Sequence, residues 1–445
     1  MKKESNLQKK KKRSEMSDLE RVQDFQRNLY RKAKQVKDYR FYVLYDKIRL
    51  KHFLREAFRR VNSKKGGKTP GVDGITCEMV MESGLEQFIA RIVVELENET
   101  YRPQPVKRKM IPKPNGKVRP LGIPTIKDRV IQMACKMVIE PIFEADFEEN
   151  SYGFRPKRSS KEAISAIKDN LKSNKTEVYD ADLSEYFDTI PHDKLMKLLS
   201  LRISDKKVLH LIKMWLKTPI YEDGQLKGGK KNKRGTPQGG VISPLLANIY
   251  LHLLDKLVNK GGSYFSKCGI KIVRYADDFV LMGRRIPKAV IEILEQILER
   301  MELKINVEKS ELVKAAEQSF DFLGFTIRYD KSIKFKYGKY WNIFPSKKSS
   351  KRIRGNIKEF LKEVGHYPPE RVAEGLNEKI RGWLNYYTIK GVSYTWKCKR
   401  DLNKYLRERL WRYYRRKSQR KCKLYRRGAF TILVNQHGLI DPVKY

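Results

Sequence analysis

No stretch of this sequence is apolar for long enough to span a bilayer, and its N-terminus lacks the hydrophobic core of a secretory signal. A cytoplasmic protein without membrane attachment is therefore expected. Cysteine is scarce. Cys77, Cys135, Cys268, Cys398 and Cys422 form no CxxC pair and suit neither a zinc site nor a disulfide framework. Unpaired thiols in a reducing compartment are the simplest account. Acidic residues are few beside basic ones, 52 Asp+Glu against 97 Lys+Arg, for a formal net charge of +45. A surface this basic needs a large polyanion, and nucleic acid answers through counterion release. An anionic membrane is the weaker alternative, because no basic helix with a continuous apolar face stands at either end. Disorder is excluded by a hydrophobic content of 40%.

What is present is ordered in blocks. A polar, Lys-rich arm with a basic run from Lys9 to Arg13 comes first. A mainly helical, basic stretch from Asp18 to about Val61 follows, then a glycine- and proline-rich loop over 66–74. Residues 75–330 alternate helical and extended segments. Val290, Ile293, Leu294, Ile297, Leu298 and Met301 recur at helical spacing. Ser243-Pro244 predicts a helix start, with Ser243 as N-cap and Pro244 first in the helix. Residues 346–420 read as three packed helices with stripes through Ile353, Ile357 and Leu361, through Val372, Leu376 and Ile380, and through Leu402, Leu406 and Leu410. Fifteen Lys or Arg against two acids between Lys397 and Arg427 argue for phosphate contact. Trp411, Tyr413, Tyr414 and Tyr425 among them are suited either to stacking on bases or to the helix core.

The chemistry concentrates at Tyr275-Ala276-Asp277-Asp278, flanked by apolar runs from Ile270 and from Phe279. The pattern is a hairpin that lifts two carboxylates to its tip. Adjacent aspartates repel unless a cation sits between them, although Asp-Asp is also an ordinary solvated turn. Nucleotidyl transfer needs two divalent ions, and magnesium takes oxygen ligands in octahedral geometry. A second acidic segment is then required. The strand-like run from Val178 ends in Asp182, with the Leu183 carbonyl as a further oxygen donor; alone it reads equally as an acidic strand end.

Tyr275 to Asp278 resembles the Y-x-D-D box of reverse transcriptases. Asp182 followed by Phe187 resembles that family's first catalytic block. The loop from Gly235 through Gln238 to Leu245, then Glu308-Lys309-Ser310, then Phe322-Leu323-Gly324-Phe325 resemble further blocks in the family's order. The stretch 111–124, Ser151-Tyr152-Gly153-Phe154-Arg155-Pro156 and the Gly71-Val72-Asp73-Gly74 loop resemble the group II intron branch. The resemblance covers roughly residues 50 to 420. It implies an α+β right-hand polymerase: a basic arm (1–17), an N-terminal extension and fingers (18–165), a palm with antiparallel sheet (166–335), a helical thumb or maturase region (346–427) and a tail (428–445). Paired cysteines and histidines of a C-terminal nuclease are not seen, so no such domain is expected.

The resemblance also implies roles. Asp182, Asp277 and Asp278, with the Leu183 carbonyl, would hold two Mg2+ ions, with Mn2+ as a substitute. Lys113 and Arg119 would meet the incoming triphosphate, although either is equally a plain nucleic-acid contact. Phe187 would exclude a 2′-hydroxyl, with a core aromatic as the alternative; Gln238 would line the nucleotide pocket; Lys309 would act near the leaving pyrophosphate, with a solvent-exposed lysine as the alternative. Phe322, Leu323 and Gly324 would grip the primer; ordinary strand packing is their alternative. The implied partners are an RNA template, intron RNA, a DNA primer and dNTPs, with the oligomeric state left open. The implied activity is RNA-directed DNA synthesis coupled to intron splicing and retrohoming. A host-recruited relative in DNA repair or phage defence, or a splicing factor without catalysis, are the competing functions. The intact aspartates disfavour the last.

Overall fold

A computed structural model describes residues 16–112, 118–229, 231–332, 338–365, 367–416 and 423–445. The stretch containing Lys113 and nearly all of the basic arm lie outside the described residues. The helices used below are α1 (Asp18–Gln35), α2 (Lys51–Asn62), α3 (Cys77–Glu97), α4 (Ile126–Glu144), α5 (Ser160–Lys172), α6 (His192–Ser200), α7 (Lys206–Leu216), α8 (Ser243–Asn259), α9 (Lys288–Arg300), α10 (Lys347–Glu363), α11 (Pro369–Tyr387), α12 (Trp396–Arg416) and α13 (Ala429–His437). Among the described residues, no helix is long and apolar enough to cross a membrane.

Among the described residues, three sheets order the α+β fold. The first runs β2 (Val118–Ile123), β1 (Val106–Pro112), β4 (Ile220–Glu222), β5 (Gln225–Lys227); its β1–β4 contact is parallel and its other pairs are antiparallel. The central sheet runs β6 (Lys271–Tyr275), β7 (Asp278–Gly283), β3 (Glu177–Ala181), β8 (Glu311–Lys314), antiparallel throughout. The third runs β11 (Lys339–Pro345), β10 (Phe325–Lys331), β9 (Phe320–Phe322).

Strands β3, β6 and β7 of the central sheet bury side chains on both faces, which explains their apolar runs. Tyr179, Ala181, Phe279 and Leu281 point into one core, shared with α1 to α4 and α6 to α9. Val178, Val273, Val280 and Met282 point into a second core, shared with α5, the third sheet and α10 to α13. The helical region therefore shares a core with the sheet. The stripes expected there are all buried, including Ile357, Val372, Leu376, Ile380, Leu406 and Leu410. The segment set apart as a tail contributes to the same core: α13 packs on α11 and α12 through Phe430 and Leu433, and Leu439 is buried beyond it.

Two local expectations are corrected. The cap of α8 is Ile242, and Ser243 is the first helical residue; its hydroxyl donates to the Pro237 carbonyl (2.9 Å) instead of capping. That helix is also buried nearly all round, so its core contact is wider than one stripe. Of the aromatics in the basic helix, Tyr414 is buried in the second core while Trp411 is exposed with the Arg415 guanidinium 5.0 Å from its ring. The Tyr425 side chain lies outside the described residues.

Candidate active site

Strand register brings the acids together. Within the central sheet Ala181 pairs with Phe279, so the next step of the ladder sets Asp182 opposite Asp278. On the other side of β7, Tyr275 pairs with Asp278 and closes a two-residue turn, Ala276-Asp277. Ala276 adopts a left-handed backbone, φ 60°, which is uncommon for a residue carrying a Cβ.

The turn is held from beneath. Arg274 has no solvent exposure. Its Nε donates to Asp255 Oδ1 (2.9 Å), and its Nη1 donates to Asn248 Oδ1 (3.0 Å) and to the Ala276 carbonyl (2.9 Å). Asn248 in turn donates to the Gly153 carbonyl (2.8 Å). Gly153 lies flat against the turn, where a Cβ would stand 2.3 Å from the Ala276 nitrogen. Only glycine permits that approach.

Charge accumulates above this support. Burial raises the Asp277 carboxyl, and nearby Asp182 adds to the effect. Burial also pushes Asp278 up to about 7, reinforced by Asp277 and Asp182. Asp180 is pushed up to about 7 by burial and then by Asp278, Glu311, Asp182 and Asp321. An acid patch that resists full ionisation favours any cation able to reach it. One does: Lys309 Nζ stands 2.5 Å from Asp182 Oδ2. Its segment wraps the same strand end. The Asp182 amide donates to Ser310 Oγ (3.1 Å), the Asn306 amide donates to the Asp182 carbonyl (2.8 Å), and Leu183 bridges to Ile305.

Hard carboxylate oxygens suit magnesium in kind. Among the described residues, however, no group of three or more His, Cys, Asp or Glu side chains stands in cation-holding geometry. The ammonium of Lys309 meets Asp182 instead.

The flanking residues converge from three directions. Gln238 Nε2 donates to Asp188 Oδ2 (2.8 Å), and the Gln238 carbonyl accepts from the Gly122 amide (2.5 Å), which clips the 235–240 loop to β2. Arg119 is exposed on β2, and its charge reaches Asp188, Asp277 and Asp278. Phe187 is half-buried, edge-on to Phe154 with ring centroids 6.4 Å apart, and its carbonyl accepts from the Thr236 amide (2.7 Å). Phe322 is buried in the second core, so its side chain packs there. Leu323 and Gly324 form the turn beside it, with φ of 49° and 79°.

Reasoning from sequence left Asp180, Asp188, Arg274, Asp255 and Asn248 without roles. A signal existed for two of them. Asp180 alternates with Asp182 on one strand face, and Arg274 is a charge inside an apolar strand, which demands a buried partner.

Acids at the adjoining ends of two paired strands, a clipped glycine-rich loop and a basic strand facing them define a nucleic-acid polymerase of the reverse transcriptase class. The family described as reverse transcriptase (RNA-dependent DNA polymerase) matches residues 111–327, and the group II intron maturase-specific domain matches residues 350–429. Protein YkfC of Escherichia coli is 37% identical over 313 residues, 61% of this chain and 79% of that protein. The group II intron-encoded protein LtrA of Lactococcus lactis is 43% identical over 203 residues, 45% of this chain and 33% of that protein. A 91 kDa protein in the cob intron of Schizosaccharomyces pombe is 35% identical over 218 residues, 48% of this chain and 25% of that protein. The match thus spans a third or less of the latter two relatives. The chain belongs to the group II intron family of reverse transcriptases and maturases, and is an RNA-directed DNA polymerase.

Proposed function

We propose that this chain extends the 3′-hydroxyl of a DNA primer with dNTPs on an RNA template, and that it also binds a group II intron RNA to assist splicing and retrohoming. The observation that carries the polymerase half is the pairing register that sets Asp182 beside Asp278, next to Asp277. Asp182, Asp277 and Asp278, with the Leu183 carbonyl, would hold two Mg2+ ions, with Mn2+ as a substitute. Ions bound there would lower the pKa of the primer hydroxyl and offset charge gathering on the reacting phosphate.

The remaining steps belong to the chain's own groups. The buried Arg274 network fixes the turn, so Asp277 and Asp278 need no reordering as the nucleotide arrives. Gln238, oriented by Asp188, and exposed Arg119 line the approach of the triphosphate. Phe187 would face the sugar and exclude a 2′-hydroxyl. Lys309, paired with Asp182 in this structure, would act near the leaving pyrophosphate.

The RNA-binding half rests on the match to the maturase-specific domain and on the cationic surface of α12, where exposed Trp411 stands beside Arg415. Many phosphate contacts make this binding fall steeply with salt.

Primer extension on an RNA template with magnesium tests the reading. The wild-type chain extends the primer, while Asp277→Ala with Asp278→Ala abolishes extension and leaves intron RNA binding intact. Extension undiminished in that double variant would overturn the assignment.

A further inference from the structure

The turn at Leu323-Gly324 has both of its carbonyls occupied, and among the described residues the groups that occupy them come from the 346–387 region. The Tyr386 hydroxyl donates to the Leu323 carbonyl (3.0 Å). The Gly324 carbonyl accepts from the Ser346 amide (2.9 Å) and from Ser349 Oγ (3.1 Å). Ser349 Oγ is also shared with the Tyr387 hydroxyl. Tyr387 fills the space over Gly324, where a Cβ would stand 2.7 Å from its hydroxyl oxygen. The Tyr386 ring is stacked on Phe325, centroids 5.8 Å apart and 26° between planes.

Tyr386 thus joins α11 to the turn after β9 both by its hydroxyl and by its ring. Yet the residue keeps 37% exposure, more than a residue serving only the core would retain.

We propose that Tyr386 and Ser349 are positioning residues for DNA synthesis. From the helical region they fix the backbone of the Leu323-Gly324 turn, and through it the primer 3′ end, relative to Asp182, Asp277 and Asp278. This rests on the polymerase function proposed above and on the primer-gripping role that the family resemblance implies for that turn. A hydrogen bond to a carbonyl in a two-residue turn sets the orientation of its peptide plane, and a displaced primer end loses alignment with the nucleotide phosphate.

The test is Tyr386→Phe, which keeps the ring and its stacking and removes only the hydroxyl, with Ser349→Ala as a second variant. Single-turnover incorporation is measured at saturating dNTP on a primer–template of known sequence. Primer–template dissociation constants, dNTP half-saturation and unfolding midpoints are measured beside it. The expected result is a fall in the maximal rate of about tenfold, with affinity for primer–template, dNTP half-saturation and unfolding midpoint unchanged. An undiminished maximal rate in both variants overturns the proposal. So does a loss explained wholly by weaker primer–template or dNTP binding, or by a lowered unfolding midpoint, because each marks a binding or structural role. A wild-type chain that fails to extend any primer defeats the polymerase reading itself and is told apart from these outcomes.

Discussion

Arg274 and Asp255 form an ion pair in which neither side chain has any solvent exposure, directly under the turn that carries Asp277. Two charges this deep are costly to desolvate, and their attraction only offsets that cost when every remaining proton has an acceptor. Here the spare guanidinium protons go to Asn248 and to the Ala276 carbonyl. Replacing Asp255 with Ala leaves the guanidinium uncompensated and is expected to cost about 3–5 kcal/mol in denaturant unfolding. The paired replacement Arg274→Met with Asp255→Leu is expected to regain most of that stability while primer extension stays impaired, because Ala276 has lost its donor. Full extension by the paired variant would show that the network supports the fold alone.

Gly153 offers a cleaner separation of fold and activity. A methyl group there meets the Ala276 nitrogen at 2.3 Å and the Tyr275 carbonyl carbon at 2.9 Å, so the acidic turn has to move. Gly153→Ala is expected to slow extension by at least about tenfold, since small misplacements of reacting groups carry penalties of that order. Gly261→Ala is the control, because its added methyl meets nothing within 4 Å. Equal rates for the two variants would remove Gly153 from the machinery.

His252 predicts a pH dependence of stability unrelated to the acids. It is packed edge-on to Phe147 and neither ring nitrogen has a hydrogen-bond partner among the described residues. Burial depresses its pKa to about 4. The unfolded chain takes up a proton near pH 6.5, and the folded one only near 4. Between those values the unfolded state binds more protons, so folding stability falls as pH falls. The group's share of that loss reaches about 3 kcal/mol at pH 4. His252→Phe is expected to flatten the decline between pH 6.5 and 4 relative to wild type in urea unfolding; parallel curves would refute the assignment.

Lys309 and Asp182 make a mostly exposed pair, in which the lysine side chain keeps 61% exposure. Such pairs contribute at most about 1 kcal/mol. Lys309→Met is therefore expected to tighten Mn2+ binding, read by electron paramagnetic resonance without nucleotide, by up to roughly fivefold. Extension is expected to slow in the same variant, because the cation near the departing pyrophosphate is gone. Weaker Mn2+ binding would mean that Lys309 assists the metal site and does not compete for it.

Much of this was legible in the chain. The hairpin bearing Asp277 and Asp278 stands out because apolar strands flank a short acidic turn, and the helical stripes after residue 346 repeat with the helix period. Pairing partners were not legible from local pattern: that Asp182 lies across from Asp278 depends on the β3–β7 register, a contact between segments almost a hundred residues apart. The support beneath was hidden for the same reason. Asp255 reads as one more charge on α8 until Arg274 is placed against it. Ser243 was misread because Ser-Pro is a common helix start, whereas the hydroxyl here is claimed by the Pro237 carbonyl.

The central sheet feeds two cores: Val178, Val280 and Met282 look toward the one shared by α5, the third sheet and the helices that follow residue 346, and Phe279 and Leu281 look the opposite way. Cutting the chain after the last catalytic segment would remove the helical half of that shared core and leave apolar side chains of the remaining half against water, which invites aggregation. Truncation at that point is therefore expected to disturb synthesis along with RNA handling. A dissection of the two has to be made one side chain at a time, and the same bond between them constrains how either half can diverge on its own.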